Sequence, residues 1–161
     1  MRGMQLRPPE PADEPFLTHV RRPEVAGEFN AFDDPGGERV KADVSRRIIV
    51  LDDGTPIGSM SWHGVAYGPY RRSVAWNIGI TIVPEHRGRG HGAAAQRMLA
   101  DYLFATTDAN RVEATTDVHN IAEQRALERA GFIREGVLRG AQYRAGAWHD
   151  LVLFARLRDD A

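Results

Sequence analysis

The order of apolar runs predicts a mixed α/β (α+β) domain built on one central twisted sheet flanked by helices. Two patterns carry that reading. Three β-rich runs come first, at Ile48–Leu51, Ile57–Val65 and Val74–Val83, and the chain then runs helix, strand, helix, strand, strand. The break between the halves is a glycine- and arginine-rich loop that opens a helix with an apolar stripe. With 161 residues, 1–161 is expected to form one domain.

Met4–Arg7 reads as a short strand closed by Pro8 and Pro9. Asp13–Val20 reads as a helix capped by Asp13, with Phe16, Leu17 and Val20 on one face. Residues 21–45 carry Pro23, Pro35, Gly36 and Gly37 and read as loop with short helices. Asp52-Asp53-Gly54 is a hairpin turn between the first two apolar runs, and Gly68-Pro69-Tyr70 is the next turn. Pro84 ends the third run, because proline cannot donate to a ladder. A helix of about 15 residues follows Gly92, with Ala95, Met98, Leu99, Tyr102 and Leu103 predicted to face the core. Arg111–Asp117 is a strand, Asn120–Ala130 a second helix stopped by Gly131, and Phe132–Tyr143 and Trp148–Leu157 form a last hairpin turning near Gly146. The three tryptophans, Trp62, Trp76 and Trp148, are expected to pack in the sheet.

The formal net charge is −1, so nothing in the balance attracts a phosphate polymer, and no nucleic-acid partner is expected. Cysteine is absent, which excludes thiol nucleophiles, disulfides and zinc ribbons. No apolar run reads as a signal peptide or a membrane span, so the expected location is the cytoplasm, with no membrane partner. Lys41 is the only lysine.

Chemistry concentrates in Pro84-Glu-His-Arg-Gly-Arg-Gly-His-Gly92. Strand, then glycine loop, then helix is an arrangement that binds a pyrophosphate: glycines admit the anion, the first-turn amides point at it, and the helix dipole adds positive charge. Arg87 and Arg89 add cationic donors. A P-loop is excluded because no Gly-Lys-Ser/Thr follows. Gly88-x-Gly90-x-x-Ala93 fits a loose dinucleotide fingerprint, although Pro84 to Arg87 intervene after the strand. Arg87-x-x-Gly90-x-Gly92 fits a coenzyme A pyrophosphate loop. A glycine-rich turn with solvated arginines stays open beside these.

Gly79-Ile-Thr-Ile-Val-Pro-Glu-His-Arg-Gly-Arg-Gly90 resembles the fourth strand and coenzyme A loop of the GNAT (Gcn5-related) N-acetyltransferases. Asn120-Ile-Ala-Glu-Gln-Arg-Ala-Leu-Glu-Arg-Ala-Gly-Phe132 is similar to their Asn, helix and Gly-Phe segment. Arg134-Glu-Gly-Val-Leu-Arg139 and Gly146-Ala-Trp-His-Asp150 are similar to the tail of the RimJ/RimL-like branch, which includes enzymes acetylating ribosomal-protein N-termini. The resemblance covers residues 46–158; residues 1–45 form a variable N-terminal segment on the acceptor side.

The resemblance implies a GNAT fold: a single mixed, mostly antiparallel sheet splayed between strands four and five, with acetyl-CoA in the gap. Backbone groups near Ile82 and Val83 would hold the pantetheine and polarise the thioester. Arg87, Gly88, Arg89, Gly90, His91 and Gly92 would take the pyrophosphate, and Asn120 the pantetheine arm. A primary amine, on a peptide N-terminus or a small molecule such as an antibiotic, would attack the thioester directly. The resemblance implies no metal and makes a homodimer plausible. A non-catalytic acyl-CoA-binding module of the same fold is the alternative.

The acid and base depart from the family pattern. Leu127 stands at the family's tyrosine position, Glu123 and Gln142 where the RimL-like serine and glutamate would be, and Ala94 where many members have glutamate. A glutamine accepts no proton, so the base role does not transfer to Gln142. Asn120-x-x-Glu123 also has capping-box spacing, so Glu123 reads either as a cap or as a carboxylate near the sulfur handling the amine's proton. Tyr143 is a sheet aromatic or a hydroxyl lining the acceptor site; His119 and His63 are candidate bases; His86 and His91 are expected to face solvent or phosphate. Without a strong base, an α-amine (pKa about 7.8) is favoured over a lysine side chain (about 10.4) by roughly 3–4 kcal/mol of deprotonation. Residues 22–40 and the last hairpin are expected to form the acceptor site. Glu24, Glu28, Asp33, Asp34 and Glu38 there read as a lure for a cationic acceptor or as a solvated acidic loop.

Overall fold

The computed structural model describes every residue except 1, 2, 33 and 161. Seven strands form one sheet: β1 (Met4–Arg7), β2 (Ser45–Leu51), β3 (Pro56–Ala66), β4 (Val74–Ile82), β5 (Arg111–Asp117), β6 (Ile133–Arg144) and β7 (Ala147–Leu157). Their spatial order is β1-β2-β3-β4-β5-β7-β6. All neighbours are antiparallel except β4 and β5. Helices α1 (Glu14–Val20) and α2 (Pro23–Ala26) precede β2; α3 (His91–Thr106) links β4 to β5, and α4 (Ile121–Arg129) links β5 to β6. No helix among the described residues is long and apolar enough to cross a membrane.

The site is positioned by how β4 and β5 meet. They pair in parallel only at Trp76–Val112 and Asn77–Glu113, near the start of both strands. Beyond Asn77 the strands separate, as the resemblance implied. Two hydrophobic layers hold the halves. On one face, Leu99, Leu103 and Ala95 of α3 and Leu127 of α4 pack against Ile49, Met60, Ile78, Val112 and Phe154 of the sheet. On the other, Leu17 meets Ile48 and Val50, and Val20 and Val25 meet Val83.

Several local expectations need correction. Asp13 does precede α1, but its side chain makes no cap. Its carboxylate instead accepts from both terminal nitrogens of Arg7 at 2.7 Å and from the Glu10 amide, and Arg7 holds it well below the usual carboxylate range, at about 2. Tyr102 is exposed on α3, where its ring packs edge-on against Trp62 with the Arg47 guanidinium near both rings. Trp148 is 69% exposed. Strand β6 is bulged: its register with β7 shifts between Arg134 and Gly136 and again between Leu138 and Gln142. At the second slip the Gly140 amide donates to the Asp150 carboxylate at 2.7 Å.

The β6–β7 turn is Ala145-Gly146, both with positive φ, at 51° and 76°. Asparagine tolerates that conformation better than alanine in a two-residue turn of this twist. Ala145→Asn is expected to stabilise the fold by about 0.5–1 kcal/mol, raising Tm by about 1–3 °C in a thermal melt.

Candidate active site

The separation of β4 from β5 leaves a cleft of about 730 Å³. Its walls are the end of β4, His86, Arg87, Gly88 and Gly90 of the loop, the first turn of α3, one face of α4, and the segment after α2. Along β4 the backbone groups alternate in direction. The Val83 amide donates to the Ile57 carbonyl of β3 at 2.9 Å, so residues 81 and 79 also face β3, and Ile82 and Ile80 face the gap. The Val83 amide is therefore committed, whereas those of Ile82 and Ile80 point where β5 has withdrawn.

Arg87 and Arg89 part company. Arg87 donates from Nε to the Ile82 carbonyl at 2.8 Å and from Nη2 to the Val25 carbonyl, buckling the end of β4 to α2. Two of its donors are thus spent on backbone, while the residue still lines the cleft. Arg89 is exposed and makes no such bond among the described residues. Gly88 and Gly90 have φ of 70° and 83°, and a Cβ on Gly88 would meet nothing within 4 Å. Gly90 caps α3, and Ala94 is the first residue bonded back, to the Gly90 carbonyl at 3.2 Å. The amides of His91, Gly92 and Ala93 are consequently left at the cleft.

His91 is buried, 5% exposed, rather than solvent-facing. Burial, reinforced by His86 and Arg89, pushes its imidazole below the ordinary histidine value. Nδ1 of His91 and Nδ1 of His86 are both buried without a hydrogen-bond partner among the described residues. Positive-φ glycines, free first-turn amides and two orphaned ring nitrogens in one wall suit an anionic, hydrogen-bonding group such as a pyrophosphate. The residues present thus fit coenzyme A.

On the facing helix, Asn120 caps α4: its Oδ1 accepts from the Glu123 amide at 3.3 Å. The reciprocal half of the capping box is missing, because the Asn120 amide donates to the Asp117 carbonyl at 2.9 Å. The Glu123 carboxylate turns into the cleft instead, beside Gln96, which is fully buried and donates to the Gly92 carbonyl. Burial pushes the Glu123 carboxyl up to about 7, with the Gln96 hydrogen bond opposing.

A second chamber of about 860 Å³ opens beside the first and shares Ala26, Phe29, Asn30, Ile80 and Thr81 with it. It draws on residues 20–32, on Arg39, and on Gln142 and Leu151 of the last hairpin, the two regions expected to hold the acceptor. Its wall is polar, with Ser59, Ser61 and His63 of β3 and Asn77 and Thr81 of β4. None of Glu24, Glu28, Asp34 and Glu38 lines it; Glu28 lines the first chamber, and Asp33 lies outside the described residues. At its floor Asp117 is bonded to Arg144 at 2.6 Å, with His149 Nδ1 at 3.3 Å. Burial pushes the Asp117 carboxyl up, but Arg144, the His119 amide and His149 outweigh it and hold the carboxyl below its usual value.

The other expected catalytic residues stay apart from these walls. Tyr143 is 46% exposed and meets Trp148 edge-on at 5.3 Å, lining neither chamber. The His119 ring is exposed and also lines neither; what His119 contributes is the amide bonded to Asp117 at 2.8 Å. His63 does line the second chamber. Leu127, at the family's tyrosine position, is fully buried core.

An acetyltransferase (GNAT) domain model matches residues 4–133, most of the chain. The chain belongs to the GNAT acetyltransferase family. It is 31% identical over 113 residues to the probable N-acetyltransferase YjcK of Bacillus subtilis, covering 70% of this chain and 61% of the relative. With YdaF of the same organism, named as a putative ribosomal N-acetyltransferase, it shares 34% over 109 residues, 68% of this chain and 57% of the relative. The chain thus spans about three-fifths of the length of these relatives. The spermidine N-acetyltransferase of Vibrio cholerae, solved with CoA and spermine, superposes with a TM-score of 0.79 at 20% identity, over 98% of this GNAT chain and 96% of that one. That likeness is one of fold.

Proposed function

We propose that this GNAT protein is an acetyl-CoA-dependent N-acetyltransferase acting on a primary amine of low pKa. The observation that carries the reading is the pair of chambers joined at Ile80 and Thr81, one suited to a pyrophosphate carrier and the other polar and separate. Such a pair holds two substrates at once, so that the amine nitrogen attacks the thioester carbonyl, the C–N bond forms, and the C–S bond breaks without an acyl-enzyme. The Ile82 amide, facing the gap, is the donor for the developing oxyanion. The amides of His91, Gly92 and Ala93, with Arg89, receive the pyrophosphate, and the Asn120 side-chain amide has its Nδ2 left for the pantetheine. Glu123 takes the proton released by the attacking nitrogen and returns it to the departing thiolate; a carboxyl poised near neutrality serves both steps. A relative named for ribosomal acetylation supports a peptide N-terminus as acceptor; a small amine is the other candidate, since a neighbour in fold was solved with spermine.

Titration calorimetry with acetyl-CoA, using NADH as control ligand, tests the reading. Micromolar acetyl-CoA binding is expected, with none for NADH, and Arg89→Gln should weaken it by about 3–10-fold, the loss of one exposed charge-assisted contact. Binding without turnover of any amine would instead favour the non-catalytic acyl-CoA-binding module.

A further inference from the structure

The second chamber carries a charge that no described carboxylate answers. Arg46 stands on β2 opposite Ser61, half-buried in the chamber wall. No carboxylate among the described residues lies within ion-pair distance of its guanidinium; Glu14, the acid that acts on it most, already sits 3.9 Å from Arg21. Burial, together with the like charge of Arg21, pulls the Arg46 guanidinium below its ordinary value. Arg21 and Arg39 line the same chamber. The one carboxylate in the described wall, Asp117, is consumed by Arg144. A half-buried cation without an anion costs free energy, and its place in a substrate chamber is explained when the substrate brings the anion.

We propose that the acceptor is a primary amine carrying a carboxylate near the reacting nitrogen, and that Arg46 binds this carboxylate. The proposal rests on the acetyltransferase reading above. It follows that the acidic segment 24–38 does not select a cationic acceptor: its described carboxylates lie outside the chamber, while the arginines lie inside. The register supports the distances required. Arg46 pairs with Ser61, and Ser61 with Gly79, so the β2 backbone lies two strand spacings, about 10 Å, from the β4 backbone where the chambers join. A long arginine side chain covers most of that span, leaving the acceptor's amine at the junction and its carboxylate on the guanidinium. A polyamine would set an ammonium group against Arg46 instead.

The test uses the full chain and peptides that start Ala-Glu, Ala-Gln and Ala-Lys, with free glutamate, free glutamine and spermidine. Steady-state kcat/KM is read for each, and each is titrated into the protein holding CoA. Ala-Glu is expected to exceed Ala-Lys by about tenfold or more, mainly through KM, as for one charge-assisted pair. Arg46→Gln should abolish the preference, Arg46→Lys should restore part of it, and acetyl-CoA affinity should be unchanged in both. Preference for free glutamate and free glutamine, both of which carry an α-carboxylate beside the amine, over all the peptides also supports the proposal, and identifies a small amino acid rather than a protein N-terminus as the source. Equal rates across the series, preference for Ala-Lys or spermidine, or a preference that survives Arg46→Gln would overturn it while leaving acetyl transfer intact. Turnover and binding of none of these acceptors would overturn both.

Discussion

Glu123→Gln is expected to lower kcat by roughly 10²-fold or more, the usual contribution of a positioned acid–base group. The acetyl-CoA dissociation constant should barely move, because the amide is isosteric and the pyrophosphate contacts lie on α3. The pH profile separates a chemical role from a structural one. In the native protein kcat/KM should rise with pH through the Glu123 ionisation at about 7 and through that of the amine. In the variant only the amine ionisation should remain. Stability gives an independent sign. A carboxyl raised by burial binds its proton more tightly in the fold than in the unfolded chain, so the native protein loses stability as pH climbs from about 4.5 to about 7. Glu123→Gln removes that loss, so its Tm should exceed that of the native protein at pH 8 and match it near pH 4. A variant with full activity, or one less stable at pH 8, would remove Glu123 from the mechanism.

Asp117→Ala should produce the largest loss of stability, about 3–5 kcal/mol in urea unfolding, because Arg144 would be left buried and unpaired. Asp117 ends β5 where the sheet opens, and its carboxylate also orders the turn through the His119 amide. The loss should therefore extend to acceptor binding, since Gln142 and Phe29 flank the same arginine. Its pH dependence runs opposite to that of Glu123. The lowered Asp117 carboxyl stabilises the fold fully above the unfolded carboxylate pKa, and that stabilisation disappears as pH falls through the folded value. Asp117→Ala and the native protein should thus converge in stability in strong acid.

Elements governed by neighbours along the chain are legible in the sequence. Met4–Arg7 and Arg111–Asp117 form strands with the bounds their residues predict, Gly54 turns the first hairpin with φ of 85°, and Gly131 stops α4 with φ of 91°. Period-two and helical patterns report burial on a single element, and glycine and proline report local dihedral needs. Side-chain partners are less legible. Asn120-x-x-Glu123 has the spacing of a capping box, but only half of it forms, because the Asp117 carbonyl takes the Asn120 amide and Gln96, on another helix, takes the Glu123 carboxylate. The charged loop around His91 suggests a ring facing solvent or phosphate; as the first residue of α3 it is buried in the cleft wall, so only the solvent alternative is excluded.

The sequence by itself determined the strand and helix order, the glycine loop at the start of α3, and the likeness to the GNAT family, since each depends on residues close together in the chain or on motifs in sequence. Only the tertiary structure decided that Arg87 ties β4 to α2, that Glu123 lines the cleft, and that no described carboxylate pairs with Arg46. Each of those depends on groups separated by tens of residues, Arg87 with Val25, Glu123 with Gln96, and Arg46 with a chamber built from several strands. Hydrogen bonding and desolvation are set by what surrounds a group in space, and the spacing of residues along the chain carries no direct record of that.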